Sequence, residues 1–186
     1  MNFISRYLPV VVAVLFLAVY FRASLHADQA EAGETFAESR GTPPALMLQD
    51  LQGHPHTLDE FRGRVVLVHF WATWCGPCRA ELPELTEFAR RFKSKGLSVV
   101  AVDVGEPSPT IVHFTMKQPV PGLILRGGPR IAADQWNAEG IPASFLLDRD
   151  GTIRASRVGG MDWSAPQTTQ WVERLLAQGA GPAAVR

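Results

Sequence analysis

Three kinds of apolar pattern alternate along this chain. The first is an unbroken run, YLPVVVAVLFLAVYF at 7–21, apolar on every face of a helix, with Pro9 in its first turn, where proline is tolerated. The second is the short block bounded by turn residues. RVVLVHF (64–70), LSVVAVDV (97–104) and GLIL (122–125) read as strands, the longer two covered on both faces. The third has helical spacing. Leu82, Leu85, Phe88, Ala89 and Phe92 recur along 75–95, with Gly96 as the stop signal. Further helices are expected at 109–118 and 130–140, and SAPQTTQWVERLLAQ (164–178) reads as an N-capped amphipathic helix. ALMLQDLQGHPHTLDEF (45–61) breaks around Gly53, which predicts a hairpin and then one helical turn. ASFLLDRDGTIRASRV (143–158) predicts two strands joined at Asp150-Gly151, a pair that supplies positive φ. The sequence of elements describes an α/β sandwich with a mixed sheet.

The pattern also divides the chain. As a helix, 7–21 spans ~22 Å, short of the ~30 Å hydrocarbon core of a bilayer, and a cleavable signal peptide has an apolar stretch of similar length. A cleavage site is poorly written: Leu25 occupies a small-residue position in LHA (25–27), and AEA (30–32) lies far beyond the apolar end. Phe3 and Ile4 extend the run, and Arg6 and Arg22 can snorkel to two interfaces. Residues 1–22 therefore read as a signal anchor in preference to a signal peptide, and either reading exports the rest. Residues 23–42 are polar, small and acidic and read as a linker, 43–180 as the folded domain, and 181–186 as a tail.

Charge and cysteine content narrow the function. Eighteen basic and eighteen acidic residues give zero net charge with no basic stripe, which argues against nucleic acid as a partner. Two cysteines are too few for a disulfide framework. Cys75 and Cys78 stand at the junction of a buried strand and a helix, so the helix N-terminus favours a thiolate at Cys75. Gly76 is expected to allow a tight turn, and Pro77 suits the first helical turn and sets the second sulfur at disulfide distance. A zinc site needs four ligands, and His54, His56 and His69 would complete one only by coincidence. A structural staple closing so short a loop constrains the unfolded chain little. A cycling dithiol is the favoured reading.

VVLVHFWATWCGPCRAELPEL resembles the thioredoxin superfamily. The 45–68 lead-in, GIPASFLLDRDGTI (140–153) and the N-terminal anchor resemble its TlpA/ResA/CcmG (DsbE) group of membrane-anchored thiol–disulfide oxidoreductases. The resemblance implies a three-layer α/β/α thioredoxin-like fold with an N-terminal β-hairpin extension and an N-terminal transmembrane or signal-anchor helix. It implies Cys75 as attacking thiol, Cys78 as buried resolving thiol, and Pro142, after Gly140-Ile141, as a cis-proline facing the disulfide. Pro83 matches a proline that kinks the active-site helix, and Trp71 and Trp74 match aromatic positions around the site. Packing beneath the helix explains Trp71 equally well.

Glu81, three residues after Cys78, shares its helix face; the resemblance implies that it acts on the cysteine protons, and the plainer alternative is a solvated helix glutamate. His69 stands where thioredoxin has a buried aspartate, six residues before the first cysteine. It could accept a proton near neutral pH, but a hydrogen-bonded core histidine is the favoured reading. Glu139 is a weaker candidate, explained as a surface residue.

The resemblance implies a reductase of disulfides in exported proteins, working without a cofactor beyond the Cys75–Cys78 pair and re-reduced by a membrane electron donor. Apocytochrome c during cytochrome c maturation is the implied substrate. The implied location is the bacterial inner membrane through the N-terminal helix, with the domain in the periplasm or outside the cell; cleavage would leave a soluble periplasmic form. Two alternatives remain open: a peroxiredoxin-type peroxidase, and a non-catalytic thiol-binding or chaperone module.

Overall fold

The computed structural model describes residues 35–178. The predicted anchor or signal segment, residues 23–34 of the predicted linker and the 181–186 tail lie outside them. In chain order the elements are β1 (Ala37–Gly41), β2 (Met47–Asp50), β3 (Pro55–Thr57), a 3-10 turn (Leu58–Phe61), β4 (Val65–Trp71), α1 (Gly76–Lys93), β5 (Leu97–Asp103) and α2 (Ser108–Thr115). They continue with β6 (Leu123–Arg126), a π-helical turn (Ile131–Gln135), β7 (Ala143–Leu147), β8 (Ile153–Val158) and α3 (Pro166–Ala177). All eight strands form one sheet in the order β1-β8-β7-β4-β5-β6-β2-β3. β4, β5 and β6 run parallel to one another, while β7 pairs antiparallel with both β4 and β8.

The central strands are the ones the pattern marked. Every residue of β4 and of β5 is buried, as continuous apolar runs require. Along β4 the side chains alternate between two faces. His69 and Trp71 point to the face that carries α1 and α2, where the Trp71 ring lies 5.5 Å from Phe114. Phe70 points the other way, 5.3 Å from Trp136, whose ring also lies 5.0 Å from Phe145. The β2–β3 hairpin and the β7–β8 hairpin form as expected, with Gly151 at φ +75 in the second turn.

Two expectations need correction. The predicted linker does not extend to Gly41, because Ala37–Gly41 pairs with β8 as an edge strand and Phe36 before it is buried against Trp163, 6.0 Å between rings. The strand AESRG is exposed on both sides, so it carries no alternation to betray it. The predicted helix at 130–140 is only the π-helical turn. Trp136 must drop into the core here, and the Ala138 N–H reaches back to the Ala132 carbonyl at 2.9 Å instead of continuing a helical ladder. That face of the sheet is covered by this irregular segment where a helical layer was expected. Among the described residues no helix is long and apolar enough to cross a membrane.

Pro83 lies inside α1, where it lacks the N–H that would bond the Arg79 carbonyl. The side-chain amide of Gln118, just beyond α2, donates to that carbonyl at 2.6 Å. One residue of the next connection thus replaces the bond that proline removes. Gln118→Ala should lower the unfolding free energy by about 1 kcal/mol in denaturant titration, a loss that Pro83→Ala in the same chain should largely abolish.

Candidate active site

The site forms where β4 ends and α1 begins. Cys75 is the N-cap of α1 in extended conformation, and its sulfur accepts the Cys78 N–H at 3.2 Å. The two cysteines are joined as a disulfide, Cys75 5% exposed and Cys78 wholly buried. Pro77 sits in the first turn as expected. Gly76 does not make the expected tight turn: it opens α1 without a positive φ, and open space surrounds the position of a Cβ.

Ile141–Pro142 is a cis peptide bond immediately before β7. Phe70 pairs with Ala143, so the antiparallel register carries Pro142 alongside Trp71 at the end of β4. Trp74 is 67% exposed beside Cys75, whereas Trp71 is fully buried and packs in the core. Glu139 is exposed.

The two acid–base candidates are neighbours. Glu81 is not a solvated helix residue: it is 7% exposed, and its Oε2 accepts the Met161 N–H at 3.0 Å and the Trp163 indole N–H at 3.2 Å. Burial pushes its carboxyl up to about 7, with the Glu84 charge adding to the rise, against the pull of those two donors. His69 is fully buried, as the core-histidine reading requires, with Nδ1 2.9 Å from Ser144 Oγ. Burial lowers its imidazole to about 4, so it is neutral at ordinary pH. Its Nε2 lies 3.6 Å from Glu81 Oε1, and neither atom has another partner.

Two further carboxyls, Glu106 and Asp103, support the loop. Glu106 accepts from the Thr73 N–H at 2.6 Å and from the Thr73 hydroxyl, two residues before Cys75. Asp103, fully buried, caps the Gly105 and Glu106 amides at 2.9 and 2.6 Å; burial and the neighbouring Glu106 raise it to about 6.

Sequence reasoning missed Ser144, Asp103, Glu106, Met161 and Trp163. Ser144 is the one polar residue of ASFLL, just as His69 interrupts VVLVHFW, and that shared anomaly was the available signal. Met161 contributes a backbone group, which no side-chain pattern announces. Among the described residues no cluster of metal-ligating side chains occurs.

Two opposed titrations follow. Glu81 rises from 4.5 to about 7 on folding, so its contribution is full below 4.5 and is lost as pH rises toward 7. His69 falls from 6.5 to about 4, so its contribution is full above 6.5 and is lost as pH drops toward 4. Each is worth roughly 3 kcal/mol at ~1.36 kcal/mol per pKa unit, and they offset each other where the windows overlap. Denaturant unfolding of the oxidised protein should show this. Relative to wild type, Glu81→Gln should gain stability as pH rises from 4.5 to 7, and His69→Asn should lose it as pH rises from 4 to 6.5.

Residues 41–156 match the AhpC/TSA family. The chain is 33% identical over 135 residues to the thiol-disulfide oxidoreductase ResA of Geobacillus kaustophilus, spanning 73% of this chain and 74% of that protein. ResA of Bacillus subtilis is 30% identical over 122 residues, 66% of this chain and 68% of its own. Among solved structures, the candidate thiol:disulfide interchange protein DsbE of Chlorobium tepidum superposes with a TM-score of 0.67 at 28% identity, covering 75% of this chain and 99% of that one. A thioredoxin-family thiol:disulfide interchange protein of the same organism gives 0.62 at 27% identity over 75% and 99%. The chain belongs to the AhpC/TSA family of the thioredoxin superfamily, among its TlpA/ResA/CcmG-like thiol–disulfide oxidoreductases.

Proposed function

We propose that this protein reduces disulfides in exported proteins, with Cys75 as nucleophile, Cys78 as resolving thiol and Glu81 as the group that takes and returns the Cys78 proton. The observation that carries the reading is a buried carboxyl, raised to about 7, one helical turn beyond Cys78. A carboxyl poised near neutral pH both accepts and releases a proton readily.

In the dithiol form the N-terminus of α1 favours a thiolate at Cys75, toward which the Cys78 N–H points. That thiolate attacks one sulfur of the substrate disulfide, forms a mixed disulfide and expels the other sulfur as thiolate. Cys78 gives its proton to the Glu81 carboxylate and attacks Cys75 Sγ, expelling the second substrate sulfur. Two electrons pass to the substrate, whose thiolates take up two protons, one of them returned through Glu81. Pro142 stands by the end of β4 as the backbone platform for the substrate strand, and Trp74 offers an exposed aromatic face beside the nucleophile. Ile141 fixes the approach to that platform. The sulfur pair needs no further cofactor, and a membrane electron donor restores the dithiol.

The apolar run at 7–21 supports tethering at the bacterial inner membrane, with the domain on the far side in the periplasm or outside the cell. The resemblance of the CGPC and GIPASF segments to the TlpA/ResA/CcmG group is what suggests apocytochrome c cysteines as the physiological substrate. A peroxidase would need no partner thiol three positions on; here that partner is present and bonded to Cys75.

Cys78→Ser in the full chain, expressed in its exporting host, should trap substrate proteins on Cys75 as adducts visible on non-reducing gels and absent from Cys75→Ser/Cys78→Ser. No adduct in the exported fraction, together with peroxide consumption by wild type that Cys75→Ser loses, would replace this reading with the peroxidase.

A further inference from the structure

His69 has no role in the steps above, yet its position is built rather than incidental. It is fully buried in the most central strand, fixed at Nδ1 by Ser144 on the neighbouring strand, and its other nitrogen faces Glu81 on the helix above. Leaving a buried polar atom without a partner costs about 1–3 kcal/mol. Here two such atoms, His69 Nε2 and Glu81 Oε1, confront each other at 3.6 Å. One proton placed between them satisfies both, and nothing else among the described residues does.

We propose that His69 is the positioning residue of Glu81: the two facing atoms share one proton, and Ser144 lets the imidazole change tautomer, instead of charge, whenever Glu81 gains or loses that proton. This deepens the proposed function and rests on it for its role in turnover. With Glu81 protonated, its Oε1–H donates to Nε2, and Nδ1–H donates to Ser144 Oγ. When Glu81 releases its proton, the ring carries its own hydrogen on Nε2, donating to the carboxylate, and the Ser144 hydroxyl donates to Nδ1. The first state holds one proton more than the second, the ring is neutral in both, and in the titration that proton is exchanged with solvent through the Ser144 hydroxyl: Oε1 and Nε2 pass one hydrogen between them while Nδ1 and Ser144 Oγ pass another. A serine hydroxyl suits this because it donates and accepts equally well. The carboxylate thereby keeps a neutral donor, and its remaining oxygen stays on Met161 and Trp163.

The charged groups around the pair leave it this freedom. On α1, Glu84 adds its charge to that of Glu81, while Asp103 at the end of β5 and Glu106 in the loop beyond it are occupied with the Gly105, Glu106 and Thr73 donors. On β8, Arg157 stands opposite Ser144 in register, on the same face, with its Nε unpartnered. Before α3, Asp162 is engaged by the Ser164 hydroxyl and the Ser164 and Ala165 amides. Of these, none bonds His69 or Glu81.

The test reads imidazole nitrogen shifts of His69 and the carboxyl carbon shift of Glu81 in the oxidised full-length protein, titrated across the value of about 7 by isotope-edited NMR. The expected result is a change from the Nδ1–H to the Nε2–H tautomer with the same midpoint as Glu81, lost in Glu81→Gln. A single tautomer throughout, a doubly protonated ring, or a switch that persists in Glu81→Gln would overturn the proposal. The wild-type titration decides alone if the variant does not fold. Exchange with a small aromatic disulfide is measured on the same preparations after reduction to the dithiol. A tautomer switch without exchange activity would sink the oxidoreductase reading and leave the proton-sharing pair standing.

Discussion

Placing the Glu81 carboxyl at 7% exposure inside an apolar core removes it from water, which costs several kcal/mol unless hydrogen bonds are supplied. The chain supplies them from far away in sequence: the Met161 amide and Trp163 indole on one oxygen, the His69 ring facing the other. This requirement organises much of the molecule. It fixes the 159–165 segment over α1, seats the Trp163 ring 5.3 Å from Phe88 and 6.2 Å from His69, and explains a histidine in a strand otherwise wholly apolar. Because the donors only partly offset desolvation, the carboxyl is left near the middle of the pH scale, where it can trade a proton with a thiol.

The sheet makes the same point from the other side. β4 is buried on both faces, so its end is held rigidly, and the Cys75 loop that follows inherits that rigidity through the Glu106 contacts to Thr73. α1 tolerates Pro83 because Gln118 supplies the missing donor. The sulfur pair thus sits on a helix whose N-terminus is anchored and whose irregularity is compensated locally.

Much of this was legible along the chain. The apolar blocks at 64–70 and 97–104 announced the central strands because burial on both faces leaves an uninterrupted apolar signature. Cys75, Cys78 and the cis bond before Ala143 followed from CGPC and GIPASF read through a family resemblance. β1 was not legible, since an edge strand open to solvent on both sides carries no periodicity, and the π-helical turn was not, since Trp136 packing overrides local helix preference. The pairing of His69 with Glu81 was not legible. They are twelve residues apart on different elements, and only the fold shows that they form one pair. Met161 and Trp163 were invisible for the same reason, and Ser144 showed only as a polar break in ASFLL: their role is to complete hydrogen bonds across the core.

The central claim is that Glu81 accepts the Cys78 proton during resolution. Stopped-flow reaction of the reduced protein with an aromatic disulfide separates the two releases of aromatic thiolate, the first from attack by Cys75 and the second from resolution by Cys78. The second phase should accelerate as pH rises through about 7, the value of the Glu81 carboxyl. In Glu81→Gln it should be slower by roughly 10²-fold with that inflection gone, the first phase changing little. A second phase in Glu81→Gln with the wild-type rate and pH profile would contradict the account.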